Sequence, residues 1–215
     1  MLSHVLDRLR ATRRLAQVVL ATTDLAADDA IEALAETEGV VCFRGSELDV
    51  LSRYLGAAAL VDAERIVRVT SDCPLIDPLT VDLAIDYFQA HSHDYVSAGV
   101  AGGFPRGLDT EVMTRAALER AGQLATDGPY REHVTLYLYR HPEVFSIGQV
   151  PAPTALRRPQ WRLCVDEEAD FALVSEIYRR LWKPGDIIPI SAVVDLLDAD
   201  PRLASLNAHV DQKKP

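Results

Sequence analysis

Short β-branched runs alternate along the chain with longer stretches whose apolar residues recur at helical spacing. This alternation restricts the fold more than any other feature. QVVLAT (17–22), VVCF (40–43), RIVRVT (65–70) and DYVSA (94–98) are too short and too continuous for helices. They predict strands, the first of them buried on both faces. Helical spacing predicts helices over 2–13, 28–38, 78–88, 114–122, 130–141, 167–182 and 192–197. Gly39 is placed to stop the second of these. Ser46 is expected to cap a further helix, with Asp49 three residues on as a near capping box. LDTEVM (108–113), FSIGQV (145–150) and WRLCV (161–165) predict later strands, and GVAGGFPRG (99–107) a glycine-rich loop. The expected fold is α/β: a mostly parallel, doubly wound sheet with a small strand and loop appendage. One domain over 1–206 is expected, followed by a polar, frayed tail from Asn207 through 215.

Net charge is −10, which argues against a duplex nucleic acid or an anionic membrane as partner. No apolar run approaches the roughly 20 residues that span a bilayer, and the N-terminus has no apolar signal core. Cys42, Cys73 and Cys164 form no Cys-x-x-Cys pattern, and their odd number argues against a disulfide framework. Small buried thiols in a reducing cytoplasm are expected. His91 and His93 have the look of a metal pair, but they follow a helix end, where a cation is favourable in any case.

In a doubly wound sheet, ligands sit beyond the carboxyl ends of the strands. The stretch VRVTSDCPLIDP (67–78) delivers Asp72 to such an end, and CVDEEAD (164–170) delivers Asp166 to another. Each acid has two readings. It can cap the following turn, or it can hold Mg²⁺, which takes one or two carboxylates together with phosphate and water. Asp77 before Pro78 is an ordinary helix entry.

FRGSELDVLSRY, VRVTSDCPLIDP, DYVS, PRGLDTEV, REHVT, HPEVF and W-x-x-x-VD-x-x-x-DF occur in a fixed order. As a set they resemble the spore-coat polysaccharide biosynthesis protein F family of cytidylyltransferases, from about Leu2 to about Leu197. The resemblance implies a nucleotide-diphospho-sugar transferase-like fold and a homodimer, with residues 98–165 holding the sugar-side and dimer loops. It implies that a sugar hydroxyl attacks the α-phosphate of CTP, giving a CMP-sugar and pyrophosphate. Asp72 and Asp166 match the family's two acids and would hold Mg²⁺. Arg68 and Arg44 are candidates to balance phosphate charge, since guanidinium forks suit phosphate oxygens. Ser46, Asp49 and Ser71 lie at strand ends on the nucleotide side. Arg106, Asp109, Glu111, Arg131, Glu132 and His133 are candidates for the sugar side. For each a bland role competes: helix capping, a solvated strand face, or a packed histidine.

Family members begin with a strand and a basic loop of the type I-Q-A-R-x-G-S-x-R-L-P-G-K. Nothing of the kind occurs here, and lysine is confined to Lys183, Lys213 and Lys214. Two expectations follow: unpaired strand edges with an apolar gap inside the sheet, and fewer cations for a triphosphate. A start lying upstream of Met1 and a non-catalytic binding subunit both fit that departure. A nucleotidyltransferase using another base remains a further alternative.

Overall fold

The computed structural model describes residues 1–212. Its elements are α1 (Leu2–Arg10), β1 (Val19–Thr23), α2 (Asp29–Glu38), β2 (Val41–Gly45), α3 (Val50–Leu60), β3 (Arg65–Arg68), α4 (Pro78–Ala90), β4 (Tyr95–Ala98) and β5 (Thr110–Thr114). There follow α5 (Arg115–Leu124), α6 (Gly128–Glu132), α7 (Leu136–Arg140), β6 (Ile147–Gln149), α8 (Glu168–Leu181), α9 (Ile190–Ala199) and α10 (Pro201–Ala204). The strands form a parallel pair β1-β2 and a mixed sheet in the order β3-β5-β4-β6. In the mixed sheet β5 runs antiparallel to both its neighbours, and β4 and β6 are parallel. The α/β architecture is as expected; the antiparallel β5 is what the expectation of a mostly parallel sheet left out.

Strand alternation divides the core between the two faces of the mixed sheet. Val96 pairs with Val112, and both pack into one cluster with Leu75, Val81, Leu163, Leu173 and Ile177. Their neighbours Tyr95 and Met113 also pair, and they point into the opposite cluster with Leu51, Ile66, Leu118 and Leu138. Hence α4 and α8 cover one face, and α3, α5 and α7 the other. On the second face each strand turns polar at one level. Ile66 gives way to Arg68, Met113 to Glu111, Tyr95 to Ser97 and Ile147 to Gln149, and the strand register sets these four polar residues in a row.

β1 and β3 face each other across a mainly aliphatic cavity of about 730 Å³, lined by Leu2, Val5, Leu6 and Leu9 of α1, by Ala57 and Ala58 of α3, and by both strands, with Arg14, Arg53, Arg65 and Arg68 also on its walls. Among the described residues neither strand pairs with another on this side. The expected gap inside the sheet is therefore present.

Four local expectations are corrected. WRLCV is no strand: Arg106 and Arg162 form an isolated bridge, with Arg106 N–H donating to Trp161 O and Leu163 N–H to Arg106 O. The ladder stops there because Gly107, at φ +96°, turns the loop away. A Cβ at Gly107 would meet the Leu163 and Cys164 backbone at 2.5–2.8 Å, so only glycine permits the approach. The helix predicted over 130–141 breaks between α6 and α7, where His133 leaves helical geometry and Thr135 turns its hydroxyl to Glu111. Asn207 is not frayed but 2% exposed, bonded to Arg162 and Asp170; residues 213–215 of the expected tail lie outside the described residues. The α3 cap is Asp49, whose carboxylate accepts from Ser52 N–H. Ser46 is exposed, and its Oγ accepts from Asp49 N–H. Asp77 caps α4 as expected, accepting from Thr80 N–H and Oγ1. Replacing Asp49 with alanine is expected to cost about 1–2 kcal/mol, and Ser46→Ala under about 0.5 kcal/mol, in denaturant unfolding.

Candidate active site

A second cavity, of about 760 Å³, opens beyond the polar row. Its walls include Arg68 from β3, Ser97 from β4, Glu111 from β5 and Gln149 from β6. The loops add Asp72, Cys73, Arg106, Asp109, Cys164 and Asp166; His133, Thr135 and the C-terminal residues Val210, Asp211 and Gln212 complete it. Val165 N–H donates to the Asp72 carbonyl at 2.8 Å, which ties the loop carrying Asp72 to the loop carrying Asp166. The two acids, distant in sequence, thus border one space.

The loop holding Asp72 is pinned from below. Cys73, Pro74, Leu75 and Ile76 are all buried, and the Pro74 carbonyl accepts from the Tyr178 hydroxyl at 2.7 Å. The strand therefore stops where it does because its continuation dives into the core and leaves Asp72 at the rim. On the other loop, Asp170 closes a capping box with Glu167 at the start of α8, and Arg162 reaches from Asp170 to Asp166.

Glu111 is the carboxylate of the polar row and is heavily engaged. It accepts from Arg68, from the Tyr95 hydroxyl and from the Thr135 hydroxyl. Burial pulls the Arg68 guanidinium toward neutrality, but the Glu111 charge outweighs it and holds Arg68 protonated. Burial first, then Glu111, keeps the Tyr95 phenol protonated, so it donates. Arg68 also lies over the Tyr54 ring at 5.7 Å, and its Nε is buried without a partner. Glu111 thus holds Arg68 rather than standing free for a sugar.

Asp109 accepts from Gly107 N–H at 2.8 Å. Burial raises its carboxyl above the ordinary value, and the Gly107 amide and Arg106 only partly offset this. The thiols here are inert: burial pushes Cys73 well up and Cys164 to about 12.

Seven of the expected site residues border this cavity: Arg68, Asp72, Arg106, Asp109, Glu111, His133 and Asp166. The others are engaged elsewhere. Arg44 pairs with Asp29 and Glu32 and donates to the Thr23 and Leu25 carbonyls, so its charge is already met. Asp49 pairs with Arg131, which also donates to the Gly122 carbonyl; this links α3 to α6. Ser46 and Glu132 are exposed, and Ser71 borders the mainly aliphatic cavity. His91 and His93 use Nδ1 on Tyr87 O and Ser146 Oγ. Sequence reasoning missed Tyr95, Thr135, Gly107, Arg162 and Gln212. The alternation Tyr95, Ser97 along β4 was the available signal for the first of these.

Residues 1–185 match the family model described as cytidylyltransferase. The chain belongs to the cytidylyltransferase family. An uncharacterized protein of Methanocaldococcus jannaschii is 37% identical over 214 residues, covering 99% of this chain and 85% of its own. Spore coat polysaccharide biosynthesis protein SpsF of Bacillus subtilis is 32% identical over 189 residues, covering 87% and 77%. Among solved structures, a cytidylyltransferase from Leptospira borgpetersenii superposes with a TM-score of 0.86 at 27% identity, covering all of this chain and 87% of its own. A CMP:2-keto-3-deoxy-manno-octonic acid synthetase complexed with CTP shares the fold at a TM-score of 0.58 and 16% identity, covering 83% and 87%. No helix among the described residues is long and apolar enough to cross a membrane.

Two outcomes are expected for this cytidylyltransferase cavity. Glu111→Ala strands the Arg68 charge and should cost about 3–5 kcal/mol in urea unfolding, whereas the double variant Arg68→Met, Glu111→Leu should recover much of the loss. Asp109 gives a pH signature. Below its ordinary value of 3.8 it is neutral in both states. Above that, the native state binds more protons than the unfolded one, so stability falls as pH rises through the raised native value. Asp109→Asn should therefore be more stable than the parent near neutral pH, and the difference should vanish on acidification to below 3.8.

Proposed function

We propose that the chain transfers CMP from CTP to a hydroxyl of a sugar acid, releasing pyrophosphate, and so supplies a CMP-sugar for surface polysaccharide. One observation carries the proposal: Asp72 and Asp166, from two separate loops, border one polar cavity in a member of the cytidylyltransferase family. The names of the relatives support the nucleotide and the pathway class.

The donor set fits Mg²⁺. Among the described residues no group of three or more His, Cys, Asp or Glu side chains is arranged to hold a metal. Two carboxylates suffice for an ion that completes its shell with substrate phosphate and water. Charge leads to the same conclusion. Asp72, Asp109, Glu111, Asp166, Glu167 and Asp211 outnumber Arg68, Arg106 and Arg162 on the walls, so a triphosphate needs a cation between itself and the acids. When bound, Mg²⁺ supplies Lewis-acid polarisation of the α-phosphate.

The chain's own residues provide position and charge. Asp72 and Asp166 hold the cation. Arg68, kept charged by Glu111, faces the phosphates, and Arg106 stands on the opposite loop with its backbone pinned to Trp161 and Leu163. Ser97 and Gln149 offer hydroxyl and amide groups to the sugar. The sugar oxygen forms a bond to the α-phosphorus while the bond to the bridging oxygen breaks and pyrophosphate leaves. Asp109, whose burial raises its proton affinity, accepts the hydroxyl proton.

A second reading, a binding subunit without turnover, is favoured by one observation: Lys183 is the single lysine of the described residues and does not border the cavity. Calorimetry with CTP and Mg²⁺, with UTP and GTP as competitors, separates tight binding without turnover from catalysis. The primary test incubates the protein with CTP, Mg²⁺ and a panel of sugar acids, following pyrophosphate and the mass of the product. Asp72→Ala and Asp166→Ala should each lower turnover by at least about 100-fold, and chelation should abolish it. Unchanged rates in both variants would refute the assignment.

A further inference from the structure

Asn207 stands just beyond α10, at the head of a segment that returns to the active-site cavity. Its side-chain amide donates to the Arg162 carbonyl at 2.9 Å and to Asp170 Oδ1 at 2.7 Å. Asp170 is fully buried and collects four sets of donors. Besides Asn207 it accepts from Arg162 Nε, at 2.9 and 3.0 Å to its two oxygens, and from the Asp166 and Glu167 backbone N–H groups at 3.0 Å each. Arg162 in turn donates to Asp166 Oδ2 and, through its other terminal nitrogen, to Gln212 Oε1.

Two short paths therefore run from Asn207 to Asp166. One goes through Asp170 to the Asp166 backbone N–H; the other goes through Asp170 and Arg162 to the Asp166 carboxylate. Asp166 itself packs against little, with its side chain 44% exposed. Its Oδ1 has no hydrogen bond among the described residues. An exposed carboxylate held at one oxygen and at its own amide takes its orientation from those holds. Groups that orient a ligand in this way tune metal affinity without touching the metal.

We infer that Asn207 is a positioning residue for Asp166: acting through Asp170 and Arg162, it sets the carboxylate in the orientation that meets the divalent cation. The inference rests on the assignment of Asp166 as a cation ligand made above. It makes the segment over 207–212 part of the active site. The alternative is that Asn207 merely anchors the chain end, and a control separates the two. Leu203 in α10 is buried in the main cluster and secures the same segment by packing.

The test compares Asn207→Leu, close in volume but without the amide, with Leu203→Ala. Mn²⁺ binding is followed by electron paramagnetic resonance with CTP present and no sugar. Amide hydrogen exchange at Asp166 and Glu167 and the melting temperature are measured on the same samples. Asn207→Leu should weaken Mn²⁺ binding by about 10-fold or more and speed exchange at both amides. Leu203→Ala should lower the melting temperature while Mn²⁺ affinity holds. Should Asn207→Leu not fold, Asn207→Ser keeps a donor and is read the same way, with a smaller loss expected. A folded Asn207 variant with parental Mn²⁺ affinity and parental exchange overturns the inference. So does a Leu203→Ala variant that loses as much affinity as the Asn207 variant. If the parent itself binds no Mn²⁺, the cation assignment falls, and exchange at Asp166 and Glu167 decides the positioning claim: acceleration upholds it and unchanged rates refute it.

Discussion

Glu111 and Arg68 face each other across adjacent strands, and the Glu111 charge outweighs the burial that disfavours the Arg68 guanidinium. A largely buried ion pair seldom stabilises a fold relative to well-packed apolar residues. Its place here is therefore informative about function. On this face of the sheet every strand is apolar at one level and polar two residues on, from Ile66, Met113, Tyr95 and Ile147 to Arg68, Glu111, Ser97 and Gln149. Folding alone would favour continuing the apolar row. The switch builds the floor of a polar cavity at the end of the core, and the Tyr95 and Thr135 hydroxyls satisfy the remaining oxygen of Glu111.

Features set by near neighbours along the chain are legible in the sequence. The strand and helix alternation and the Asp77-Pro78 helix entry depend on local periodicity and capping, whereas Asp72 and Asp166, expected at strand ends, stand on loops, Asp72 four residues beyond β3 and Asp166 after an isolated bridge. What escaped depends on partners far along the chain. Arg131 and Asp49 each suit an anion or a polar substrate by residue type, and only the chain's path brings them together across 82 positions. Arg44 is neutralised by α2 in the same way. Ser46 and Asp49 both satisfy the capping rule, and the choice rests on which backbone amide lies within reach. Residues 130–141 carry helical spacing throughout, yet Thr135 bonds to Glu111, 24 residues away, and the helix breaks. Asn207 sits in a polar terminal stretch whose composition suggests fraying, and it is buried because Arg162 and Asp170 need its amide.

The two cavities are nearly equal in volume, about 730 and 760 Å³, so size does not distinguish them. Their chemistry does. The first lies between strand edges and is walled mainly by aliphatic side chains of α1, α3, β1 and β3. The second gathers charged groups from β3 and β5, uncharged polar groups from β4 and β6, and acids from the loops and the C-terminal segment. Arg68 borders both, at the end of β3. The same strand thus carries apolar side chains toward the gap and a guanidinium toward the chemistry.

The way Arg162 is held argues for how anionic charge would be met here. Its Nε is on Asp170 and its two terminal nitrogens are on Asp166 and Gln212, so three of its five N–H donors already serve the protein's own acceptors. Arg68 has one terminal nitrogen committed to Glu111. Of the three guanidiniums on the walls, only Arg106 is without an acidic partner in an ion pair among the described residues. One such fork cannot offset a triphosphate beside six carboxylates. Two of the three guanidiniums on these walls serve the protein's own acids, so on the proposed function neutralising the nucleotide would fall to a divalent ion held by Asp72 and Asp166.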